Sequence, residues 1–308
     1  MKIFKTSKAL ARAVKGPVLT LGNFDGLHLG HRKIISKVGE RARRLSRQSV
    51  VYTFEPHPLK VVSPHKSPDM IVDTRTKADL VEALGIDFMV IAEFTKEFAA
   101  KHPRAFVEEE IVALRPEEVW VGHDFSFGKA KTGTVDYLRA LGEEFGFLVH
   151  VIPAYTKGGE VVSSSRIRRL VSSGRLREAA NLLGRNFSIS GKVVKGRNIG
   201  KGIGFPTANL SASTELMPAD GVYAAWAFVS GRRHGAVVNI GVAPTFGGRD
   251  KRVEVHILGF KGNIYGRKIE VEFVRRLRGE KAFKSKEALI TQIRKDAERA
   301  ATMLAAAI

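Results

Sequence analysis

The sequence has no cysteine among its 308 residues, and no uninterrupted apolar run approaches the roughly 18 residues that a membrane-spanning helix requires. The first absence excludes a disulfide framework, a thiolate zinc site and a cysteine nucleophile. The start, Met1–Lys5, also lacks the apolar core of a secretory signal. We therefore expect a cytoplasmic protein without a membrane span, whose catalysis would use histidine, serine, carboxylates or a bound metal ion.

Acidic residues are few relative to basic ones. The chain has 51 Lys and Arg residues against 31 Asp and Glu residues, which gives a formal net charge of +20. Such a field attracts polyanions of any kind, from ATP to RNA to acidic lipid, so charge alone does not choose among them. Hydrophobic residues make up 44% of the 308 positions, enough for two ordinary cores. Two domains are the expectation from length.

Short apolar runs alternate with longer amphipathic stretches in the first half of the chain. The runs predict buried strands, and apolar side chains at three- and four-residue spacing between them predict helices. Strand followed by helix, repeated, predicts a doubly wound parallel sheet, which binds ligands at the carboxyl ends of its strands. The predicted strands are Val18–Leu21, Val50–Phe54, Phe88–Ile91, Val119–Gly122 and Phe147–Ile152, and the predicted helices are residues 31–46, 75–84, 103–113 and 134–145.

After about residue 185 the pattern changes to short apolar stretches separated by glycine-rich turns. This texture predicts an antiparallel β-barrel, and Ser285–Ala307 is typical of a terminal helix. Two short helical stretches join the halves. We therefore predict an α/β domain over residues 1–184 and a β domain over residues 185–308. The joining helices are Ser165–Ser173 and Arg175–Leu183, and the predicted barrel strands are Phe187–Val194, Gly221–Val229, Gly235–Ile240 and Val253–Phe260.

The loop after the first predicted strand reads GNFDGLHLGH from Gly22 to His31 and leads directly into a helix. Gly30 would let a phosphate approach the backbone, and the helix N-terminus carries partial positive charge. His28 and His31 can donate hydrogen bonds to phosphate oxygens. This combination suits the triphosphate of ATP. Taken alone, two histidines three residues apart can also be a simple helix cap.

The complete loop resembles the GxFDGxHxGH motif of bacterial FAD synthetases, with every fixed position present. Val162–Arg168, which reads VSSSRIR, resembles the SSTRIR element of the same superfamily, although on its own a serine cluster is also a helix N-cap. The resemblance implies in-line attack of the FMN phosphate on the α-phosphorus of ATP, with charge stabilised by His28, His31, Arg168 and magnesium. It assigns to cofactor binding the residues Gly22, Asn23, Phe24, Asp25, Gly30, Ser163, Ser164, Ser165 and Arg168.

Two further segments match this family, TFEPHP at Thr53–Pro58 and GHDFSFG at Gly122–Gly128. Both follow predicted strands, so both would lie at the edge of the sheet where ligands bind. The resemblance places Pro56, Pro58 and Asp124 around the flavin and its phosphate. Without the resemblance, the two segments are proline- or glycine-ended turns.

A second candidate site lies in GRNIGKGIGFPTAN, from Gly196 to Asn209. Its glycines free the backbone to turn amides toward phosphate oxygens. No Gly-Lys-Ser/Thr follows and no helix opens after it, so the segment is neither a Walker loop nor a Rossmann fingerprint. A glycine-rich barrel hairpin is the alternative interpretation.

With its PTAN ending, this segment resembles the riboflavin kinase signature GxxxGxxxGxPTAN. The resemblance assigns Thr207 and Asn209 to the magnesium ion of Mg-ATP, and their side-chain oxygens are suitable ligands for such a hard cation. It assigns Gly196, Gly200 and Gly204 to cofactor binding.

Glu254, in the segment VEVHIL, matches the catalytic glutamate of the same family. In that role it would accept the hydroxyl proton during phosphoryl transfer. By its alternating pattern alone, it is a solvent-facing strand residue. Arg278, in the later family landmark RLRGEKAF, is assigned to cofactor binding; there Gly279 stands where the family commonly has aspartate.

By these two signatures the chain is identified as a member of the bacterial bifunctional riboflavin kinase/FMN adenylyltransferases. The resemblance implies phosphorylation of riboflavin to FMN and adenylylation of FMN to FAD, with Mg²⁺ and ATP, in a monomer or weak oligomer that requires no nucleic acid. An RNA-linked enzyme is the second hypothesis, because class I aminoacyl-tRNA synthetases also carry HxGH. It leaves PTAN unexplained, and Ser163–Arg168 has no lysine for a KMSKS-like loop. A flavin-binding module without catalysis is the third, although every expected catalytic residue is present.

Overall fold

The computed structural model describes residues 1–196, 202, 204–242 and 251–306. The chain divides into two compact units. The sheet unit comprises Met1–Asp69 and Thr74–Ser163, and the barrel unit comprises Met70–Asp73 and Ser164–Ile308.

Six strands of the described chain form the sheet of the sheet unit. They are β1 (Lys2–Phe4), β2 (Val18–Leu21), β3 (Ser49–Glu55), β4 (Phe88–Glu93), β5 (Glu118–Gly122) and β6 (Leu148–Ile152). All neighbouring strands are parallel, in the order β1-β4-β3-β2-β5-β6. The order reverses at β2, so the loops after β2 and β5 meet at the carboxyl edge, where doubly wound sheets bind ligands.

Helices cover both faces of this sheet. They are α1 (Ser7–Leu10), α2 (Leu29–Arg44), α3 (Pro58–Val62), α4 (Thr74–Glu82), α5 (Lys96–Ala99), α6 (Pro103–Phe106) and α7 (Val135–Phe145). On one face, Val38 of α2 and Val81 of α4 are buried in a common core, and on the other, Leu10 of α1 and Leu138 of α7 are buried. This three-layer arrangement confirms the predicted doubly wound fold. The short hairpin β7 (Thr156–Lys157) and β8 (Glu160–Val161) follows β6.

The helix predicted over residues 103–113 is shorter and less regular than expected. After α6, Val107–Ile111 forms a π-helical turn and Val112–Leu114 a 3-10 turn. Within the π turn, the Glu110 carboxylate accepts hydrogen bonds from the hydroxyls of Ser7 (3.0 Å) and Tyr52 (2.8 Å). Apolar spacing predicts a helix here, but it does not reveal the change of pitch, which commonly marks a local packing demand.

The described strands of the barrel unit close into a six-stranded antiparallel barrel, in the order β10-β13-β12-β11-β14-β9. They are β9 (Phe187–Val194), β10 (Ala208–Ala212), β11 (Gly221–Val229), β12 (Arg232–Val242), β13 (Lys251–Ile257) and β14 (Lys268–Arg278). The barrel interior is filled by side chains, among them Phe187, Tyr223 and Phe273, each at most 1% exposed. The predicted barrel is confirmed.

In the described part of the chain, three helices accompany the barrel: α8 (Ser164–Ser172), α9 (Leu176–Leu183) and α10 (Lys286–Ala305). Ala300 and Leu304 of α10 pack against Val222 and Trp226 of β11, on the outer face of the barrel. Helix α9 contacts β9 and β14. Among the described residues, no helix is long and apolar enough to cross a membrane.

Candidate active sites

The loop between β2 and α2 brings the first predicted set of residues together. The His28 imidazole caps α2, because its Nδ1 accepts a hydrogen bond from the His31 amide at 3.3 Å. The rings of His28 and His31 stack with their centroids 3.6 Å apart. Since α2 begins at Leu29, both imidazoles lie at the positive end of a helix dipole. A neutral His28 therefore carries its proton on Nε2, as a donor for an anion.

His31 is packed among aromatic rings. Phe24 meets the His31 ring edge-on, with centroids 5.4 Å apart. The buried Nδ1 of His31 has no hydrogen-bond partner in the described part of the chain. Desolvation, then the charges of His28 and Lys77, lower the pKa of His31 well below its ordinary value. His31 is therefore neutral at neutral pH and keeps hydrogen-bonding capacity unused.

Two glycines leave space for the rings of this loop. A Cβ on Gly30 would lie 3.2 Å from the His28 ring, and a Cβ on Gly22 would lie 2.9 Å from the Phe24 ring. Phe24 has a left-handed backbone with φ of 47°. Asp25, the next residue, is buried at 3% exposure. A side chain at position 22 or 30 would therefore press on a ring of the site.

Asn23 presents its backbone to the interior. Its carbonyl accepts hydrogen bonds from the Lys77 ammonium at 2.9 Å and from the Thr53 hydroxyl at 3.2 Å. The sequence interpretation assigned no role to Lys77. The signal that could have found it is its place on the buried stripe of α4, four residues before Val81.

The residues predicted to surround the flavin follow β3 and β5. Pro56 directly follows β3, with a cis peptide bond from Glu55, and Pro58 is the first residue of α3. Asp124 is an exposed residue two positions after β5. All of them stand at the carboxyl edge of the sheet, as predicted from their position after strands.

A cavity of about 440 Å³ opens at the carboxyl ends of β3 and β4. Glu55, Glu93 and Phe98 are among its lining residues. Phe98 makes edge-on ring contacts with Phe54 at 5.8 Å and with Phe106 at 5.9 Å between centroids. This edge of the sheet therefore offers both aromatic surface and carboxylates.

The serines and arginine of VSSSRIR stand at the start of α8. Ser163 belongs to the sheet unit, whereas Ser164, Ser165 and Arg168 belong to the barrel unit. Their assignment to ATP binding stays a prediction. The predicted boundary at residue 184, between the segments that carry the two activities, also stays a prediction. By their contacts, α8 and α9 group with the barrel.

One row of residues crosses the barrel strands and gathers the second predicted site. Asn209 on β10 pairs with Glu254 on β13, and Glu254 pairs with Asn239 on β12. The row continues through Val222 on β11 to Arg278 on β14. Directly paired residues project to the same face of a sheet. The sequence alone gives no role to Asn239, because strand register is not visible in it.

This row lines a cavity of about 600 Å³, to which Thr207 also contributes. Phe283, Leu289 and Ile293 supply apolar wall from α10 and the segment before it. The Glu254 side chain is 30% exposed, and its Oε1 lies 3.8 Å from a guanidinium nitrogen of Arg252. The cavity therefore joins an apolar wall to a row of polar side chains.

His256, two residues after Glu254 on β13, contacts the PTAN segment. Its Nδ1 lies 2.8 Å from the Pro206 carbonyl, so a neutral His256 donates its Nδ1 proton to that oxygen. The His256 ring also meets the Phe205 ring edge-on, with centroids 5.5 Å apart. The backbone that presents Thr207 is thereby tied to the strand that carries Glu254.

Gly196 and Asn209 are in close contact. A Cβ on Gly196 would lie 1.9 Å from the Asn209 amide nitrogen, so a side chain there would require the Asn209 amide to move. Gly204 has a left-handed backbone with φ of 86°, a conformation that favours glycine. Gly200 lies outside the described residues, as does most of the segment from Arg197 to Ile203.

Arg278 is fixed by helix α10. Its Nε donates to the Asp296 carboxylate at 2.9 Å, and Gln292 donates to the other Asp296 oxygen at 3.0 Å. Asp296 is buried at 5% exposure. A buried carboxylate paired in this way holds its arginine in one orientation beside the cavity.

Two family models match the chain. The FAD synthetase model matches residues 11–166, and the riboflavin kinase model matches residues 183–304. The bifunctional riboflavin kinase/FMN adenylyltransferase of Escherichia coli (strain K12) is 36% identical over 299 residues, 96% of each chain. The protein of the same name from Listeria monocytogenes is 37% identical over 284 residues, 91% of this chain and 90% of the relative.

A solved structure is also similar over most of the chain. It is a crystal structure described as a macrolide-efflux protein from Streptococcus pneumoniae, with 29% sequence identity and a TM-score of 0.85. The match covers 96% of this chain and 97% of that one.

Proposed function

Since the chain belongs to the family of bifunctional riboflavin kinase/FMN adenylyltransferases, which make FMN from riboflavin and FAD from FMN, we propose which of its residues perform each step. The row on the barrel that contains Glu254 performs the kinase step. The loop that contains His28 and His31 performs the adenylyl transfer. The observation that carries the first assignment is the register that sets Asn209, Glu254 and Asn239 side by side.

In the kinase step, a riboflavin hydroxyl oxygen attacks the γ-phosphorus of ATP, and the bond from that phosphorus to ADP breaks. The proton of the hydroxyl passes to the Glu254 carboxylate. Because Glu254 lines the cavity, it can reach a hydroxyl bound there. Arg278, held by Asp296, faces the same space and suits the phosphates of the nucleotide.

Thr207 and Asn209 would hold the Mg²⁺ of Mg-ATP. Their side chains line the cavity beside Glu254 and carry neutral oxygens, which suit an ion that keeps most of its waters. The ion would neutralise charge on the phosphates. Two neutral oxygens fit an ion that the phosphates of the nucleotide also bind.

In the adenylyl transfer, a phosphate oxygen of FMN attacks the α-phosphorus of ATP, and pyrophosphate leaves. No proton has to move, so the work is positioning and stabilisation of charge on phosphoryl oxygens. His28 and His31, stacked at the start of α2, serve as hydrogen-bond donors for those oxygens. Gly30 lets the nucleotide approach them. Ser163, Ser164, Ser165 and Arg168 would bind phosphates of ATP, and Pro56, Pro58 and Asp124 would border the flavin.

Removal of the proposed metal ligands gives a specific test. For Thr207→Ala and Asn209→Ala, we expect the Mg²⁺ concentration that half-saturates FMN formation to rise about 10-fold or more. The Mg²⁺ requirement of FAD formation from supplied FMN should stay unchanged, which makes it the internal control. An unchanged Mg²⁺ requirement in both reactions would contradict the assignment.

The barrel unit should make FMN by itself. We expect residues 185–308 to fold and phosphorylate riboflavin, because every proposed kinase residue lies in them. Residues 164–308 should melt at least about 10 °C higher, because α9 buries Leu176, Leu182 and Leu183. Both fragments lack residues 70–73, so the difference between their melting temperatures measures the contribution of α8 and α9. Thermal unfolding and a riboflavin kinase assay check both, and a folded but inactive longer fragment would show that residues before 164 supply part of the kinase site.

Small molecules are the proposed partners, in a cytoplasmic monomer or weak oligomer that requires no nucleic acid. Both matched families act on flavins, which supports this proposal. Rates unchanged after nuclease treatment of the purified protein would agree with it, and a loss of either activity would oppose it.

A further inference from the structure

A lysine lies buried beneath the loop that carries His28 and His31. Lys77 on α4 is only 6% exposed, although lysine is among the residues least often buried. Its ammonium donates to the Asn23 carbonyl at 2.9 Å and lies 3.5 Å from the Thr53 hydroxyl. Since Thr53 donates to the same carbonyl, two elements fix one backbone oxygen of the loop.

The helix that carries Lys77 is itself anchored. At its start, the Thr74 hydroxyl donates to the Glu55 carboxylate at the end of β3, at 2.5 Å. Ala78 and Val81 of the same helix are buried in the core. The Lys77 ammonium is therefore held in place relative to both β3 and the loop after β2.

A neutral donor would serve the Asn23 carbonyl without the cost of burying a charge. Burial lowers the pKa of Lys77, while the charges of Asp25 and Glu55 act in the opposite direction. The field of the ammonium also reaches the site, because it contributes to the lowered pKa of His31. The Asp25 and Glu55 carboxylates offset this charge in part, and the ammonium still adds positive charge behind the loop that carries His31.

We propose that Lys77 is a positioning residue of the adenylyl-transfer site. Its ammonium fixes the Asn23 carbonyl, and so the path of the loop toward His28, and it places a positive charge behind the loop that favours the ATP triphosphate. Lys77 contacts the loop backbone and acts on the nucleotide through it. This inference rests on the proposed role of the loop in adenylyl transfer.

The test compares Lys77→Met, which removes both donor and charge, with Lys77→Gln, which keeps a donor. For methionine we expect kcat/KM for ATP in FAD formation to fall about 10²-fold, the scale of a displaced catalytic group. Glutamine should restore kcat to within about 10-fold of the original protein and leave KM for ATP raised, because the donor returns without the charge. KM for ATP in FMN formation should not change in either variant. Since the two reactions use the same nucleotide on one polypeptide, the kinase is the internal reference.

Lys37→Met is the matched control, because Lys37 lies on the exposed side of α2, paired with Glu40. It should leave both reactions unchanged. If Lys77 has only a structural role, Lys77→Gln should keep the original KM for ATP and at most lower the melting temperature. That result would overturn the proposal. If methionine prevents folding, as thermal unfolding would show, the glutamine variant decides. If the kcat of Lys77→Gln is as low as that of Lys77→Met, Lys77 does not position the loop through a hydrogen bond.

The same experiment with His31→Ala separates this inference from the function on which it rests. If FAD formation falls for His31→Ala but not for the Lys77 variants, the inference about Lys77 is wrong and the proposed adenylyl-transfer site stands. FAD formation that is unaffected in all of them would place the adenylyl-transfer site elsewhere.

Discussion

Glu254→Ala is expected to lower FMN formation from riboflavin by about 10²- to 10⁴-fold, the range that a general base contributes. Conversion of supplied FMN to FAD should remain nearly intact. The reason is geometric: Glu254 is the carboxylate set between Asn209 and Asn239 in the row that lines the barrel cavity. Without it, the attacking hydroxyl has no acceptor at that position for its proton.

Chromatographic separation of riboflavin, FMN and FAD over time would measure both steps in one assay. Glu254→Gln should lose as much as Glu254→Ala, because it keeps the shape of the side chain but cannot take the proton. Glu270→Gln on β14 is the control, since Glu270 is another strand glutamate and does not line the cavity. Kinase activity near the original rate in the Glu254 variants would remove this residue from the role of base.

His31→Ala is expected to have the converse effect, a loss of FAD formation of about 10²-fold or more, with FMN accumulating. The buried Nδ1 of His31 has no hydrogen-bond partner in the described part of the chain, so truncation breaks no such bond there. His28 is a less clean target, because its Nδ1 caps α2 and its loss would cost about 1 kcal/mol of stability. A kinetic defect in His31→Ala with an unchanged melting temperature would therefore report the chemistry.

The control for this variant is His234→Ala on β12. His234, like His31, has an edge-on contact with a phenylalanine, here Phe260 at 5.3 Å between centroids. Both activities should survive in it. If His31→Ala instead lowers FMN formation and spares FAD formation, the two sites have been assigned to the wrong reactions.

Much of the fold could be predicted because its central strands are uniformly apolar. β2, β3 and β5 are buried on both sides, and their runs of valine and leucine are visible in the sequence. β14 was not predicted, although Ile269, Val271 and Phe273 alternate with charged residues along it, the pattern of a half-buried strand. That strand closes the barrel only by pairing with β9 and β11, a long-range event that local pattern does not show.

The sites divide in a similar way. His28, His31 and Glu254 could be named from motifs, since their chemistry depends on residue type and spacing. Asn239 and Lys77 gain their positions from register and packing, and a lysine in a charged helix resembles any solvated residue. The spacing of four residues between Lys77 and Val81 was the one signal in the sequence that Lys77 is buried.

The contact between Gly196 and Asn209 has a consequence for the evolutionary history of the protein. A Cβ at position 196 would overlap the Asn209 amide in its present orientation, so a side chain at 196 would displace that amide, whereas Asn209 can change while Gly196 is kept. If Asn209 binds the metal, selection on the position of its side chain also acts on Gly196. Lineages that lose the glycine should be those that have already lost the asparagine and, with it, the kinase. The pair would then decay in a fixed order, and a glycine at 196 would outlast the activity it served.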